Sequence, residues 1–415
     1  VRVRVVVRGA VAGVVGAVVV GGAGCGLDPQ NLPDLDYSVA AANVWADGHV
    51  VPPPKGPGET RVLVTNNLDD TVSVVDYDAL LAGGDGAERA RFVVGLFPIE
   101  REGPHHIAIA PGARLGYVGI SNFVPLGGGG PHGTHGNGTA DGRALEIDLD
   151  TLRTVRDVRV DPNPGDVRLT PDGRFLLMTH YDQAKVAAAA SAGIFAGPEV
   201  DARLAIIDVA TMTRAAMVDL CPAAHGIAVT SDSRTAITSC RSDEAAVVDL
   251  STFAVRRVTL LDEPGTAANP NCDPYAVTLT ADERTAYVSC YKSGELVGVD
   301  VDAAVRADTI VQGVGRAVFG DCADSGRLAF AVQDSDGVVY VDDGAVSGFV
   351  SLAPTVCELP HSTRFVDDDA VLLVVCEGNK RDPGAVIALD VASGEVLGRT
   401  TVGIFPDDLA LQVTP

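Results

Sequence analysis

Cys272-Asp-Pro-Tyr-Ala-Val-Thr-Leu-Thr-Ala-Asp-Glu-Arg-Thr-Ala-Tyr-Val-Ser-Cys290 is the stretch on which the fold turns. It reads as a strand from Tyr275 to Thr280, a tight turn at Ala281-Asp282-Glu283-Arg284, and a second strand from Thr285 to Ser289. A cysteine stands at each end. The same pattern recurs between Cys221 and Cys240 and between Cys357 and Cys376. Self-similarity at this spacing marks a repeat architecture, so the chain is read as one array of hairpins before any division into domains.

Six cysteines fall into these three units, and Cys322 and Cys25 remain. In an antiparallel hairpin the start of one strand lies beside the end of the next, with non-hydrogen-bonded Cα pairs about 4.5 Å apart, inside disulfide range. The expected cystines are therefore Cys221–Cys240, Cys272–Cys290 and Cys357–Cys376. Each closes a short loop, worth roughly 3 kcal/mol in the chain-entropy model. The chain has no C-x-x-C spacing, which argues against a zinc or redox cluster.

Composition bounds the function. The net charge of −24 excludes the basic footprint that nucleic acid requires. Aromatic residues are scarce at 5% while the 46 glycines suit tightly turned β-structure. At the N-terminus, Arg2, Arg4 and Arg8 precede an apolar run from Gly9 to Val20, and Gly22-Ala23-Gly24 precede Cys25. Residues 1–25 resemble a bacterial lipoprotein signal, which implies lipidation at Cys25 and a location in the periplasm or at the cell surface; Gly22 departs from the usual leucine. Export permits disulfides. Residues 26–58, with Pro29, Pro33, Pro52, Pro53, Pro54 and Pro57, read as a tether, leaving 59–415 as the body.

The body opens with Arg61-Val-Leu-Val-Thr-Asn66 and Asp69-Asp-Thr-Val-Ser-Val-Val-Asp76. This text resembles the YVTN family of β-propeller repeats, with fainter echoes at Tyr117–Asn122, Tyr287–Cys290 and Leu373–Cys376. A third strand ends in aspartate seven times, at Asp76, Asp148, Asp208, Asp249, Asp300, Asp342 and Asp390. These are expected to be turn or capping acids. The resemblance implies an all-β, seven-bladed propeller of four-stranded antiparallel blades, six or eight blades being the alternatives. The first blade has only three runs at its start, and Asp408–Val413 should supply the missing inner strand. Two insertions, 122–142 and 181–202, interrupt the second and third blades, the latter with an alanine-rich run suited to a short helix.

In such a blade the inner strand begins on the face where its neighbour ends. His105, His106, His225 and His361 then start inner strands, His180 ends a second strand, and His132 and His135 lie in the first insertion. One face collects them all. Imidazoles so gathered suit copper or zinc, and the layout resembles that of nitrous oxide reductase, a propeller enzyme holding copper on histidines; the appended copper domain of that family has no counterpart here. The plain alternative is that these histidines only hydrogen-bond the joints between blades. Asn66, Asp182, Arg241, Lys292, Gln333 and Glu377 follow second strands and are expected around the channel mouth as a ligand-binding set. Three functions are consistent with this pattern. The leading one is a monomeric, lipid-anchored scaffold for a small molecule or protein. The others are a histidine-bound metal protein and a propeller lactonase-like hydrolase. No P-loop, G-x-S-x-G or H-E-x-x-H motif is present.

Overall fold

The computed structural model describes residue 56 and residues 58–83, 86–94, 103–112, 114–122 and 136–413. These form 28 strands in seven four-stranded antiparallel sheets, the expected blades. Blade 1 joins β28 (Pro406–Val413) to β1 (Thr60–Asn66), β2 (Thr71–Asp76) and β3 (Glu88–Val93). Blade 2 runs β4 (Gly103–Ile109), β5 (Leu115–Asn122), β6 (Ala140–Asp148), β7 (Arg153–Arg159). Blade 3 runs β8 (Pro164–Leu169), β9 (Phe175–His180), β10 (Asp201–Asp208), β11 (Thr213–Pro222). The inner strands of blades 4 to 7 are β12 (Ile227–Val229), β16 (Pro274–Leu279), β20 (Ala317–Cys322) and β24 (Pro360–Val366).

Ring closure is explicit in the register. Val62 pairs with Leu411 and Val64 with Leu409, so blade 1 is built from both ends of the body and no inner edge is left unpaired there. The core is the packing of one blade on the next. Val72, Phe92, Ile107, Ile120 and Leu145, for example, are buried together between blades 1 and 2. Alternating strands explain this, since each sheet has an apolar set on both faces.

Turn chemistry fixes the hairpins. Thr170, Thr230 and Thr280 each donate a hydroxyl to an aspartate two residues on, at 2.6, 2.7 and 2.7 Å. The same aspartates, Asp172, Asp232 and Asp282, accept the backbone N–H of Arg174, Arg234 and Arg284. The aspartates closing third strands behave as expected in six blades: Asp76 caps α1 (Tyr77–Leu81), and Asp148, Asp208, Asp249, Asp300 and Asp390 accept backbone N–H groups two or three residues on. Asp342 differs. It takes a bidentate pair with Arg327, Nε and Nη2 both at 3.0 Å.

All three expected cystines form, and Cys322 is the free cysteine among the described residues. Cys221 belongs to the last strand of blade 3 and Cys240 to the second strand of blade 4, so this bond also staples two blades. Residues 1–55, which hold the signal-like segment, Cys25 and most of the tether, lie outside the described residues, as do His132 and His135. The second insertion folds as α2 (Gln183–Ser191), capped by Asp182.

Candidate functional site

Six of the seven inner strands begin with the same irregularity, and it builds the channel. In blade 2, Pro104 pairs with Ile120 but Ile107 with Val118, so His105 and His106 together oppose one residue. The same one-residue bulge follows Pro164, Pro274, Ala317 and Pro360, and it separates Pro406 from Leu409 in β28. A bulge re-aims side chains that a regular strand would alternate between faces. Two consecutive residues per blade are thereby placed around the axis.

The orphan N–H created by the bulge is satisfied by a hydroxyl on the opposing strand. Asp166 N–H donates to Thr179 Oγ1 at 2.9 Å, Ala276 N–H to Ser289 Oγ at 3.0 Å and Asp408 N–H to Thr65 Oγ1 at 3.1 Å. The threonines also reach the next blade, Thr65 donating to the His105 carbonyl and Thr179 to that of His225.

The first bulge position carries His105, Gly165, His225, Tyr275, Val318, His361 and Asp407; the second carries His106, Asp166, Gly226, Ala276, Phe319, Ser362 and Asp408. The four histidines are fully buried, and the ring centroid of His105 lies 4.1, 5.3 and 6.2 Å from those of His106, His225 and His361. Blades 2, 4 and 7 thus deliver their histidines to one point.

Within the first ring a rule holds. His105 Nδ1 meets the carbonyl of Gly165 at 3.1 Å, His225 Nδ1 that of Tyr275 at 3.0 Å, and His361 Nδ1 that of Asp407 at 2.6 Å. In every case the acceptor is the equivalent residue of the next blade. A carbonyl only accepts, so Nδ1 carries the proton, and a neutral ring then presents its lone pair at Nε2. These histidines hold the blade joints, as the plain reading expects, and the same bond sets the tautomer a metal ligand needs.

Nε2 of His105 is 3.9 Å from Asp407 Oδ2, too far for a hydrogen bond. Suitable ligand atoms of His105, His361 and Asp407 all lie within 4.8 Å of one another, as do those of His105, His106 and His225. Both carboxylate oxygens of Asp407 are buried without a hydrogen-bond partner among the described residues. Burial, then repulsion from Glu377, raises its pKa well above the usual range. Burial also pushes His361 down to about 3, leaving it neutral, and its Nε2 accepts the Tyr275 hydroxyl at 2.9 Å.

The second ring is an ion cluster. His106 Nδ1 lies 3.0 Å from Asp166 Oδ1 and 3.1 Å from Asp408 Oδ2, while Arg168 Nη1 lies 3.0 Å from that same Asp166 oxygen. Burial opposes charge on His106, but Asp166 and Asp408 outweigh it and lift the pKa to about 9. Asp408 is held far below the carboxylate range despite burial, through His106 and Arg168. His106 therefore acts as a buried imidazolium neutralising two carboxylates. Phe319 closes this layer, its ring 4.5 Å from that of His106.

The expected mouth residues divide. Glu377 is buried beside the first ring, Oε1 standing 3.8 Å from His361 Nε2 and accepting Gln333 Nε2 at 2.8 Å; burial pushes it up to about 7, against Lys380 at 3.2 Å. Arg241 binds the Tyr181 hydroxyl and Asp273, and Tyr181 leans on His225 with centroids 4.5 Å apart. Lys292 is tied to the Pro270 carbonyl. Asn66 locks blade 1 to Gly403, and Asp182 caps α2. His180 bonds the Arg203 carbonyl in blade 3, away from the channel cluster.

Asp166, Asp407, Asp408, Arg168 and Tyr275 were not among the sequence-derived candidates. A signal existed: Pro-x-x before an apolar or β-branched residue recurs at Pro104, Pro164, Pro274, Pro360 and Pro406, and the two intervening residues are the channel pair.

No family model matches the chain, and no curated protein matches it. Solved structures do. A functionally unknown protein from Desulfotomaculum acetoxidans aligns with a TM-score of 0.60 at 12% identity, over 86% of this chain and 99% of that one. The periplasmic gluconolactonase of Pseudomonas aeruginosa aligns at 0.56 and 19%, over 86% and 100%. Hydrazine synthase of Kuenenia stuttgartiensis aligns at 0.52 and 14%, over 74% and 88%. At these identities the likeness is one of fold.

Proposed function

We propose that this is an exported metal-binding propeller in which His105, His361 and Asp407 hold one first-row transition-metal ion, copper or zinc, at the axis, with His225 packed against His105 and the Tyr275 hydroxyl turning off His361 Nε2 to release it for the ion. The observation that carries this reading is Asp407, whose two buried carboxylate oxygens lack any hydrogen-bond partner among the described residues and face preset imidazoles. An unpaired buried carboxylate costs several kcal/mol unless a cation or a proton joins it. Ligands at about 2.0–2.1 Å from one ion stand at most about 4 Å apart, and the 3.9 Å between His105 Nε2 and Asp407 fits. A passive scaffold needs none of this, since blade 6 fills the same two positions with Val318 and Phe319. For that reason the metal reading displaces the scaffold as first choice. Three cystines suit an oxidising compartment, and the signal-like segment ending at Cys25 supports export with a lipid anchor.

Metal analysis of protein purified from its native envelope tests the proposal. About one equivalent of metal per chain is expected, lost on His105→Ala and on Asp407→Ala with the fold retained by circular dichroism. Folded wild-type protein that neither contains metal nor takes up added Zn²⁺ or Cu²⁺ overturns it.

A second reading, hydrolysis of a sugar lactone, is supported by Glu377 beside His361, a carboxyl with a pKa of about 7 suited to general acid–base work, and by the fold shared with a gluconolactonase. Lactone hydrolysis that survives complete removal of metal and falls on Glu377→Gln would favour it.

A further inference from the structure

His180 and the second insertion are used by neither reading, yet they enclose a separate cavity of about 390 Å³ on blade 3. It is lined by Asp161, His180, Asp182, Lys185, Arg203 and Asp219, among others. The wall opposite the blade is the insertion itself, where Lys185 of α2 donates its Nζ to the Asp201 carbonyl at 2.5 Å. The insertion is anchored through Asn163, whose Nδ2 donates to Asp182 Oδ1 at 3.1 Å and to the Gly138 carbonyl at 3.2 Å.

His180 is 1% exposed and gives Nδ1–H to the Arg203 carbonyl at 2.6 Å. Its Nε2 is buried with no hydrogen-bond partner among the described residues. Because Nδ1 holds the proton and burial disfavours the charged ring, Nε2 is a lone-pair acceptor. An acceptor in this position asks for an N–H or O–H donor from a ligand.

The charges on the wall narrow the ligand class. Arg203 is consumed by Asp161 in a fork, Nε at 2.7 Å and Nη2 at 2.5 Å. Asp201 is consumed by Arg257 at 2.6 Å. Asp182 spends Oδ1 on the Lys185 N–H and on Asn163 but is in no ion pair, and with exposed Asp219 it stands against the single ammonium of Lys185, so acids exceed bases. Among the described residues His180 joins no three-ligand cluster of the kind the channel histidines form.

We propose that this cavity binds a small aliphatic amine, its ammonium group donating to His180 Nε2 and to the carboxylates of Asp182 and Asp219. The insertion in blade 3 is then the piece that converts a propeller edge into a binding site.

Calorimetric titration of the full chain with putrescine tests this, with butanediol as the uncharged isostere. Putrescine should bind and the diol should bind at least about tenfold more weakly, since hydrogen bonds from a charged donor are the stronger ones. His180→Leu and Asp219→Asn should each weaken putrescine about tenfold while leaving the metal content of the channel unchanged. Equal binding of the diol, no heat from putrescine with wild-type protein, or unaltered affinity in the folded variants would each overturn the assignment. Should His180→Leu fail to fold, Asp219→Asn on the exposed rim decides alone.

Discussion

Replacing His106 by glutamine removes the cation that two buried carboxylates share, 3.0 and 3.1 Å from its Nδ1. Raising an imidazole from 6.5 to about 9 on folding corresponds to about 3 kcal/mol of preference for the charged form. Arg168 remains beside Asp166 in the variant, but Asp166 and Asp408 then face each other with one cation fewer. Breaking a buried ion cluster by deleting one member costs about 3–5 kcal/mol. The sign follows from linkage. A folded pKa above the unfolded value contributes stability that is complete below about 6.5 and disappears as pH rises through about 9. Asp408, depressed on folding, contributes in the opposite window, losing its share only as pH falls below the ordinary carboxylate range. Chelator-treated wild-type protein should therefore unfold in urea at clearly lower concentration near pH ~9.5 than near pH ~6. His106→Gln should be less stable by several kcal/mol at pH ~6 and show a flatter decline between the two. A variant with wild-type stability, or with the same decline, would refute the ion cluster.

Two further outcomes follow from the architecture. Gly226 sits where an added Cβ would stand 2.5 Å from the Ala276 Cα and 3.0 Å from the Val277 nitrogen, so Gly226→Ala should cost about 1–3 kcal/mol by overpacking. It should also weaken metal uptake by pushing Tyr275 away from His225, and unchanged melting and metal content would contradict this. Reduction of the intact protein should add the mass of six hydrogens for the three cystines, and Cys322, with burial pushing its thiol up to about 11, should react slowly with alkylating reagents in the native state. Any other mass gain, or rapid labelling, would count against the pairing.

Much of this molecule is written in local text. The Cys272–Cys290 hairpin and the aspartates after third strands depend on short-range spacing, which survives in one dimension, and the late partner of Val62 follows from counting strands in the repeat. The channel chemistry is different. That His105, His106, His225 and His361 gather follows from counting strands, but Asp407 and Asp166 look in sequence like ordinary turn acids among the 55 acidic residues. Only the bulge after each proline turns them toward the axis, and a bulge leaves no sign in hydrophobic periodicity. The same holds for His180. Strand counting places it on the mouth face with the other histidines, but its ring turns to Arg203 in its own blade because β10 offers a carbonyl there.

The manner in which the circle is sealed has a consequence for timing. Asp407 and Asp408 ride on the strand that zips onto Thr60–Val64 from more than three hundred residues downstream, and Thr65 bonds across that seam to Asp408. Six sheets can be finished while the axis still lacks two of its three carboxylates from the bulge positions, so His106 waits with half its counter-charge. An ion offered to an unsealed ring meets imidazoles alone. If the axis holds an ion as proposed, its capture is coupled to completion, and a chain halted before β28 would be a nearly whole propeller lacking the carboxylate ligand.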